Sequence, residues 1–124
     1  MRQIEQTIIQ TVKNMKSFEY FSNCEKSLSI RDSVEKVNNE INVRLWGHKI
    51  FSFDMEKKTI SFCFCDYPTN TTKSRINSLL DSTPCYIKQK NYKLYLVNRS
   101  NKTETKINSW DTFTISNQGE LITE

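Results

Sequence analysis

Glycine, proline and histidine are scarce in this sequence, and long hydrophobic runs are missing. The 124 residues include two Gly, two Pro and one His. Backbone positions of positive φ must therefore often be filled by other residues, above all by the abundant Asn. No stretch approaches the roughly 20 apolar residues that span a bilayer, and residues 1–15 lack the apolar centre of a secretory signal. We expect a soluble, cytoplasmic protein that makes no membrane contact.

The composition is that of one folded domain. Hydrophobic residues make up 36% and charged residues 26% of the chain, with seven Phe, five Tyr and two Trp as large apolar groups. A chain of this length builds a single hydrophobic core, so we interpret residues 1–124 as one domain. Without export, the four cysteines are expected to be reduced, packed thiols. A zinc site using Cys63 and Cys65 is the weaker alternative, because tight C-x₂-C knuckles are absent. We predict no metal site and no cofactor.

Two segments have the apolar spacing of amphipathic helices. Between residues 4 and 15, Ile, Val and Met recur at intervals of four, five, eight and eleven, which predicts a helix over about residues 2–16. A shorter helix is predicted over about residues 72–81, and Pro84 prevents it from extending further. Residues 22–40 fit a strand and a helix equally well, so both alternatives stay open.

The rest of the chain alternates with a period of two, which is typical of strands. Residues 41–65 predict three antiparallel strands joined by tight turns. Residues 85–98 predict a second hairpin that turns around Lys90 and Asn91. Residues 99–106 are wholly polar and are expected to form a solvated loop, and residues 107–122 suggest a last small hairpin.

The predicted fold class is therefore α+β. We expect one antiparallel sheet of about five to six strands, with an N-terminal helix and a short central helix packed on it. Within this single domain, residues 41–98 are the expected core, residues 1–40 an N-terminal helical extension, and residues 99–124 a polar loop followed by a hairpin. Exposed strand edges would permit a dimer.

Positive charge is concentrated in one part of the sequence. The whole chain has a formal charge of +4. Residues 71–106 hold eight basic residues against only Asp81 and Glu104. These eight are Lys73, Arg75, Lys88, Lys90, Lys93, Arg99, Lys102 and Lys106. Such a segment attracts phosphates or an acidic protein surface.

One motif in this segment resembles a known group of proteins. Leu45–Gly47 and Pro68–Asn77, which reads Pro-Thr-Asn-Thr-Thr-Lys-Ser-Arg-Ile-Asn, resemble the strand end and helix start of small uncharacterised proteins from bacteriophages and mobile elements. The resemblance covers residues 41–98. It implies a phage or mobile-element origin, where small proteins often bind host machinery or nucleic acid, and it brings no activity with it.

The motif has two physical interpretations. Hydroxyls and cations at the first turn of a helix suit an anion, so backbone groups of Thr72, Lys73 and Ser74 could hold a phosphate, with Lys73 or Arg75 outside it. In the alternative, Thr71 or Thr72 is only the N-cap and Arg75 pairs with a neighbouring carboxylate such as Asp66. We favour the structural alternative, because capping alone explains hydroxyls at a helix start.

Tyrosines and lysines interleave in the hairpin of residues 85–98. Tyr rings between Lys side chains can stack on bases and neutralise phosphates, although half-buried strands show the same alternation. The interleaved residues are Tyr86, Lys88, Lys90, Tyr92, Lys93 and Tyr95. The candidate binding residues are Thr72, Lys73, Ser74, Arg75, Lys88, Lys90, Tyr92, Lys93 and Arg99.

Catalysis has little support in the sequence. His48 lies in a predicted turn, and no motif frames a cysteine or a carboxylate for nucleophilic or acid–base chemistry. The leading hypothesis is a non-catalytic phage accessory protein that binds and blocks host nucleic-acid-handling or defence machinery, a host protein or ribonucleoprotein complex, in the manner of an anti-CRISPR inhibitor. The alternatives are direct nucleic-acid or nucleotide binding through residues 71–106 and, less favoured, a small enzyme.

Overall fold

The structure is a computed structural model that describes residues 2–17, 23–66, 69–116 and 118–122. Within these ranges the chain forms two helices, α1 (Gln3–Ser17) and α2 (Asn70–Leu80), and nine strands. The strands are β1 (Cys24–Ser27), β2 (Asp32–Val37), β3 (Glu40–Leu45), β4 (His48–Asp54), β5 (Thr59–Cys63), β6 (Cys85–Lys90), β7 (Lys93–Asn98), β8 (Thr103–Ile107) and β9 (Thr112–Ser116).

The strands form two antiparallel sheets. The large sheet has the order β1-β2-β3-β4-β5-β9, and the small sheet has the order β6-β7-β8. The predicted α+β class, the antiparallel pairing and both helices are confirmed. The strands are shared between two sheets where the sequence suggested one. Neither helix is long and apolar enough to cross a membrane, as far as the described residues show.

The core lies between the sheets. Helix α1 contacts β2, β3 and α2, and α2 contacts both β4 of the large sheet and β6 of the small sheet. One face of the large sheet supplies a row of apolar side chains that are paired in register across the strands. This row consists of Val34, Val43, Phe51, Phe62 and Phe113. Against it pack Ile8 and Ile76, one from each helix, which are both fully buried.

The N-terminal forty residues are part of the sheet and its core. Within 22–40 the described residues form the two strands β1 and β2, so the choice between strand and helix resolves to strand. Val34 in β2 and Ile8 in α1 are both fully buried in the common core. The interpretation of residues 1–40 as a helical extension was wrong, because the described residues of this segment also form β1 and β2 of the large sheet.

Residues 99–102 form an exposed turn, but residues 103–106, which were expected to belong to the same solvated loop, form part of a strand. After β7 the side chain of Asn98 accepts hydrogen bonds from the backbone of Ser100 and Asn101, which turns the chain back on itself. The polar residues that follow form β8, which pairs with β7 along its length. An edge strand buries little side chain, so it lacks the apolar alternation that predicts a strand. The expected hairpin of residues 107–122 is present in its second half, because Ile115 of β9 forms an antiparallel bridge with Leu121 and the Ile122 backbone donates to the carbonyl of Thr114.

Candidate nucleic-acid interface

The small sheet has one covered face and one face that no described helix covers. Cys85, Ile87, Leu94, Leu96 and Ile107 point inward and are buried. The strand register places the intervening residues together on the opposite side. We call this side the basic face, and it consists of Tyr86, Lys88, Lys90, Lys93, Tyr95, Val97, Glu104 and Lys106. Successive side chains of a strand point to opposite faces, so the lysines point outward where the leucines between them point inward.

Positive charge dominates the basic face. Lys90, Lys93 and Lys106 are exposed. Lys88 Nζ lies 2.9 Å from Glu104 Oε1, and this hydrogen bond raises the pKa of Lys88. Arg99 extends the face at one edge, because its guanidinium lies 4.3 Å from the centre of the Tyr86 ring. The basic face with Arg99 at its edge thus carries five cations and one carboxylate.

The turn between β6 and β7 adds an exposed aromatic ring to this surface. Asn91 and Tyr92 both adopt positive φ, at 52° and 64°, as in the two-residue turns of type I′ hairpins. Tyr92 is 99% exposed. The lysines on either side of the turn, Lys90 and Lys93, are paired in register. An exposed aromatic ring thus lies in the turn that joins two exposed lysines.

Lys73 belongs to the same end of the molecule. Its Nζ donates to Gln89 Oε1 at 3.2 Å, which links the start of α2 to the end of β6. Helix α2 and β6 run in opposite directions, so the first turn of the helix lies beside the β6–β7 turn. Of the predicted binding residues, the structure places Lys88, Lys90 and Lys93 on the basic face, with Tyr92 in its turn and Arg99 at the far end of the hairpin. Lys73 lies at the opposite side of the small sheet, because Gln89 shares the side of Ile87 and Leu94.

Arg75 lies in the interior. Its side chain is 0% exposed, and its Nε donates to Asp32 Oδ1 at 2.8 Å while Nη1 donates to Glu5 Oε2 at 2.9 Å. The expected pairing with Asp66 was wrong, because Asp66 accepts a hydrogen bond from Ser109 in the loop before β9. A guanidinium enclosed in this way has no access to a ligand. Arg75 therefore does not belong to the binding surface.

Glu5 and Asp32 are nearly as buried as Arg75. Glu5 is 2% exposed and Asp32 is 1% exposed. Burial alone would raise the pKa of Glu5, but hydrogen bonds from Ser74, the Arg2 backbone and Arg75 together hold that pKa below its usual value. Burial likewise opposes the charge on Arg75, whose pKa is nevertheless raised by its bonds to the two carboxylates. The three groups form a buried ion cluster that joins α1, α2 and β2.

Thr72 and Ser74 are also committed to the fold. The N-cap of α2 is Thr69 and not Thr71 or Thr72, because Thr69 Oγ1 accepts a hydrogen bond from the Thr72 backbone at 3.1 Å. The Ser74 hydroxyl donates to Glu5 at 2.6 Å, and the Lys73 backbone donates to the carbonyl of Thr69. Because these donors are already used, they cannot cradle a phosphate as the sequence suggested. Pro68, the first residue of the motif, lies outside the described residues.

Asn77, the last residue of the motif, closes an edge of the small sheet. Its amide donates to the carbonyl of Ile87 at 3.1 Å and accepts from the Ile87 backbone at 2.6 Å. Since β6 is an edge strand, these groups would otherwise need water or another strand. The motif therefore assembles the interior and attaches the small sheet to α2.

The thiols show no activated nucleophile. Cys24 is exposed, Cys63 and Cys65 are half-buried, Cys85 is buried, and all four are free thiols. Burial and the neighbouring Cys63 raise the pKa of Cys65 to about 11, so its thiol stays protonated near neutral pH. Cys85 donates to the carbonyl of Gly119, and burial raises its pKa as well.

Comparison with known proteins gave one finding about the family. The family model described as "Kyanoviridae Gp96 protein" matches residues 1–118. The matched region includes α1, both sheets and the motif in α2. No curated protein and no solved structure was found to match the chain.

Proposed function

Because the chain belongs to the Kyanoviridae Gp96 family of phage proteins, we propose that it is a phage accessory protein that binds single-stranded nucleic acid through its basic face. One observation carries the proposal. Four lysines and two tyrosines of a three-stranded sheet lie on a single side that no described helix covers. Lysines neutralise phosphates, and tyrosine rings stack on bases of any sequence.

The arrangement suits a single strand better than a duplex. Tyr86 and Tyr95 are half-buried on the basic face, where the Arg99 guanidinium lies over the Tyr86 ring, and Tyr92 is exposed at the turn. Stacking on such rings requires unpaired bases, because the faces of paired bases are covered by their neighbours in a duplex. A flat sheet face also lacks a protruding helix that could enter a major groove.

The sign of the charge favours nucleic acid as the direct ligand. Surfaces that bind nucleic acid are positive, so a protein that blocks one by occupying it must present negative charge. The basic face has the opposite sign, with Glu104 as its single carboxylate. Interference with host nucleic-acid-handling or defence machinery, the inhibitor hypothesis, would then follow from covering a strand that the machinery needs.

The experiment measures binding of a fluorescein-labelled oligothymidylate and an oligouridylate by anisotropy, at about 50 mM and about 200 mM salt. The test variant carries Lys90→Glu and Lys93→Glu. We expect affinity to fall at least about tenfold at the lower salt. The slope of log Kd against log salt should decrease by about 1.4, since each lost phosphate contact contributes roughly 0.7 for a single strand.

The matched control carries Lys26→Glu and Lys57→Glu. Both lysines are exposed on the large sheet, away from the basic face, and the change in net charge is the same. The control should lose much less affinity than the test variant. Equal losses of affinity in the two variants would show that overall charge alone causes the effect. If the wild type does not bind at the lower salt, the proposal is overturned.

A further inference from the structure

A pocket lies beside the first turn of α2, outside the basic face. Its volume is about 420 Å³, within the range of pockets that hold small ligands. The floor is apolar and formed by the buried side chains of Leu45, Ile50 and Phe64. The rim is polar and includes Arg31 and Thr71. An apolar floor under a polar rim suits a flat ring that carries a polar or charged group.

Trp46 forms one wall of this pocket in an unfavourable backbone conformation. It lies with Gly47 in the two-residue turn between β3 and β4, where φ is 53° at Trp46 and 81° at Gly47. Turns of this type favour Asn or Asp before Gly, because a bulky residue is strained at positive φ. Trp46 also remains 62% exposed, so burial does not offset the strain. A strained, exposed aromatic ring at a pocket wall indicates a role in contact with a ligand.

The polar groups of the pocket suit an anion. Arg31, His48, Thr69 and Thr71 line it, and no carboxylate is among its described lining residues. Arg31 lies 3.7 Å from Asp32 through Nε, but the shorter contacts of that carboxylate are with Arg75 and Ser29. The Arg31 side chain is 43% exposed, so its remaining donors can reach a ligand in the pocket.

The first turn of α2 lies between the pocket and the small sheet. Thr71 lines the pocket, and Lys73, two residues further along the helix, bonds to Gln89 next to the β6–β7 turn. Two residues advance a helix by about 3 Å and rotate it by about 200°, so Thr71 and Lys73 lie on different sides of α2. A strand held at Lys90 and Lys93 therefore reaches the pocket by crossing the edge of β6 and the first turn of α2.

From this placement we propose that the pocket binds one nucleotide of the bound strand, with its base against Trp46 and its phosphate at Arg31 and the threonine hydroxyls. The inference rests on the proposed function and adds a second, discrete contact to it. The basic face holds the strand by charge and by sequence-tolerant stacking. The pocket takes a single base out of the strand.

The direct test uses the fluorescence of Trp46 in a Trp110→Phe background, where it is the only tryptophan. The probes are adenosine 5′-monophosphate, uridine 5′-monophosphate, adenosine and inorganic phosphate. We expect saturable quenching by the monophosphates, weaker quenching by adenosine, and no quenching by phosphate alone. Arg31→Ala should weaken the binding of the monophosphates until their affinity approaches that of adenosine. Absence of saturable quenching, or quenching by a glutamate-rich peptide in preference to the nucleotides, would overturn the inference.

A second variant tests the role of Trp46 in strand binding. Trp46→Asn places a favoured turn residue at positive φ, so the melting temperature should stay the same or rise. Oligonucleotide affinity should nevertheless fall about tenfold, as expected for the loss of one base–aromatic stack. Trp110→Asn removes another exposed tryptophan, which is 67% exposed and does not line this pocket, and should leave affinity unchanged.

The two proposals fail in different ways. If wild-type protein binds oligonucleotides and Trp46→Asn binds equally well, the pocket inference is wrong and the basic-face proposal stands. If Lys90→Glu with Lys93→Glu does not reduce oligonucleotide affinity while mononucleotides still quench Trp46, the basic-face proposal is wrong and the pocket binds nucleotides by itself.

Discussion

The two basic parts of residues 71–106 have opposite fates in the fold. In α2 the cation Arg75 is fully buried and bonded to two carboxylates. In the β6–β7 hairpin Lys90 and Lys93 are exposed on an uncovered face. The sequence shows the same kind of residue in both places. The side-chain period of a helix differs from that of a strand, and this period decides which side of the helix or strand a residue occupies.

In α2 the inward stripe runs through Thr72, Ile76 and Leu80, and Arg75 lies next to Ile76 on that stripe. In β6 and β7 the inward positions are occupied by apolar residues, so the lysines alternate outward. A charge on the apolar stripe of a helix therefore predicts a buried ion pair, whereas a charge opposite the apolar stripe predicts a surface. The distinction separates a structural cation from a binding cation before any partner is known.

The largest effect on stability should come from Arg75→Met. The change leaves Glu5 and Asp32 buried without their cation, and breaking a buried pair in this way costs about 3–5 kcal/mol. Urea unfolding followed by circular dichroism measures the loss. Lys73→Met, two residues earlier on the half-exposed side of α2, is the matched control and should change stability by less than about 0.5 kcal/mol. Similar stability of the two variants would show that the buried Arg75 contributes no more to stability than the half-exposed Lys73.

The pH dependence of the same variant gives a sharper test. In the wild type the folded pKa of Glu5 is lowered, so its contribution to stability is present above the unfolded pKa and is lost as pH falls through the folded value. Without Arg75, the folded pKa of Glu5 rises, because the hydrogen bond and the positive charge of Arg75 no longer lower it. The variant should therefore lose less stability than the wild type as pH falls toward about 4. A parallel pH dependence in the two proteins would contradict the ion cluster.

An intermediate effect is expected from Asn77→Ala. The change leaves the backbone N–H and carbonyl of Ile87 without their partner at the edge of β6, and unsatisfied buried groups cost about 1–3 kcal/mol. Hydrogen exchange should show faster exchange of the Ile87 amide in the variant. An unchanged exchange rate would mean that this edge does not depend on α2.

Local pattern predicted the helices, most strands and the outward lysines, because each depends on spacing within a few residues. It did not predict the partners of Arg75, since Glu5 and Asp32 lie 70 and 43 residues away along the chain. It also missed β8, whose polar residues pair at a sheet edge without an apolar alternation. As a result Lys106 was counted in the basic segment and then left out of the candidate surface. The turn at Trp46 belongs to the sequence that resembles the phage proteins, but its strain follows from the positive φ of Trp46, which only the structure shows.

The smallest effect on stability should come from the residues with the largest expected effect on binding. Lys90→Ala with Lys93→Ala removes two exposed ammonium groups that face each other across the hairpin. Like charges directly opposite in a sheet repel one another, so the free energy of unfolding should change by less than about 0.5 kcal/mol and can rise slightly. Urea unfolding in parallel with Arg75→Met measures the difference. A loss comparable with that of Arg75→Met would show that the hairpin lysines also hold the fold together, and the division between a structural and a binding set of cations would then be untenable.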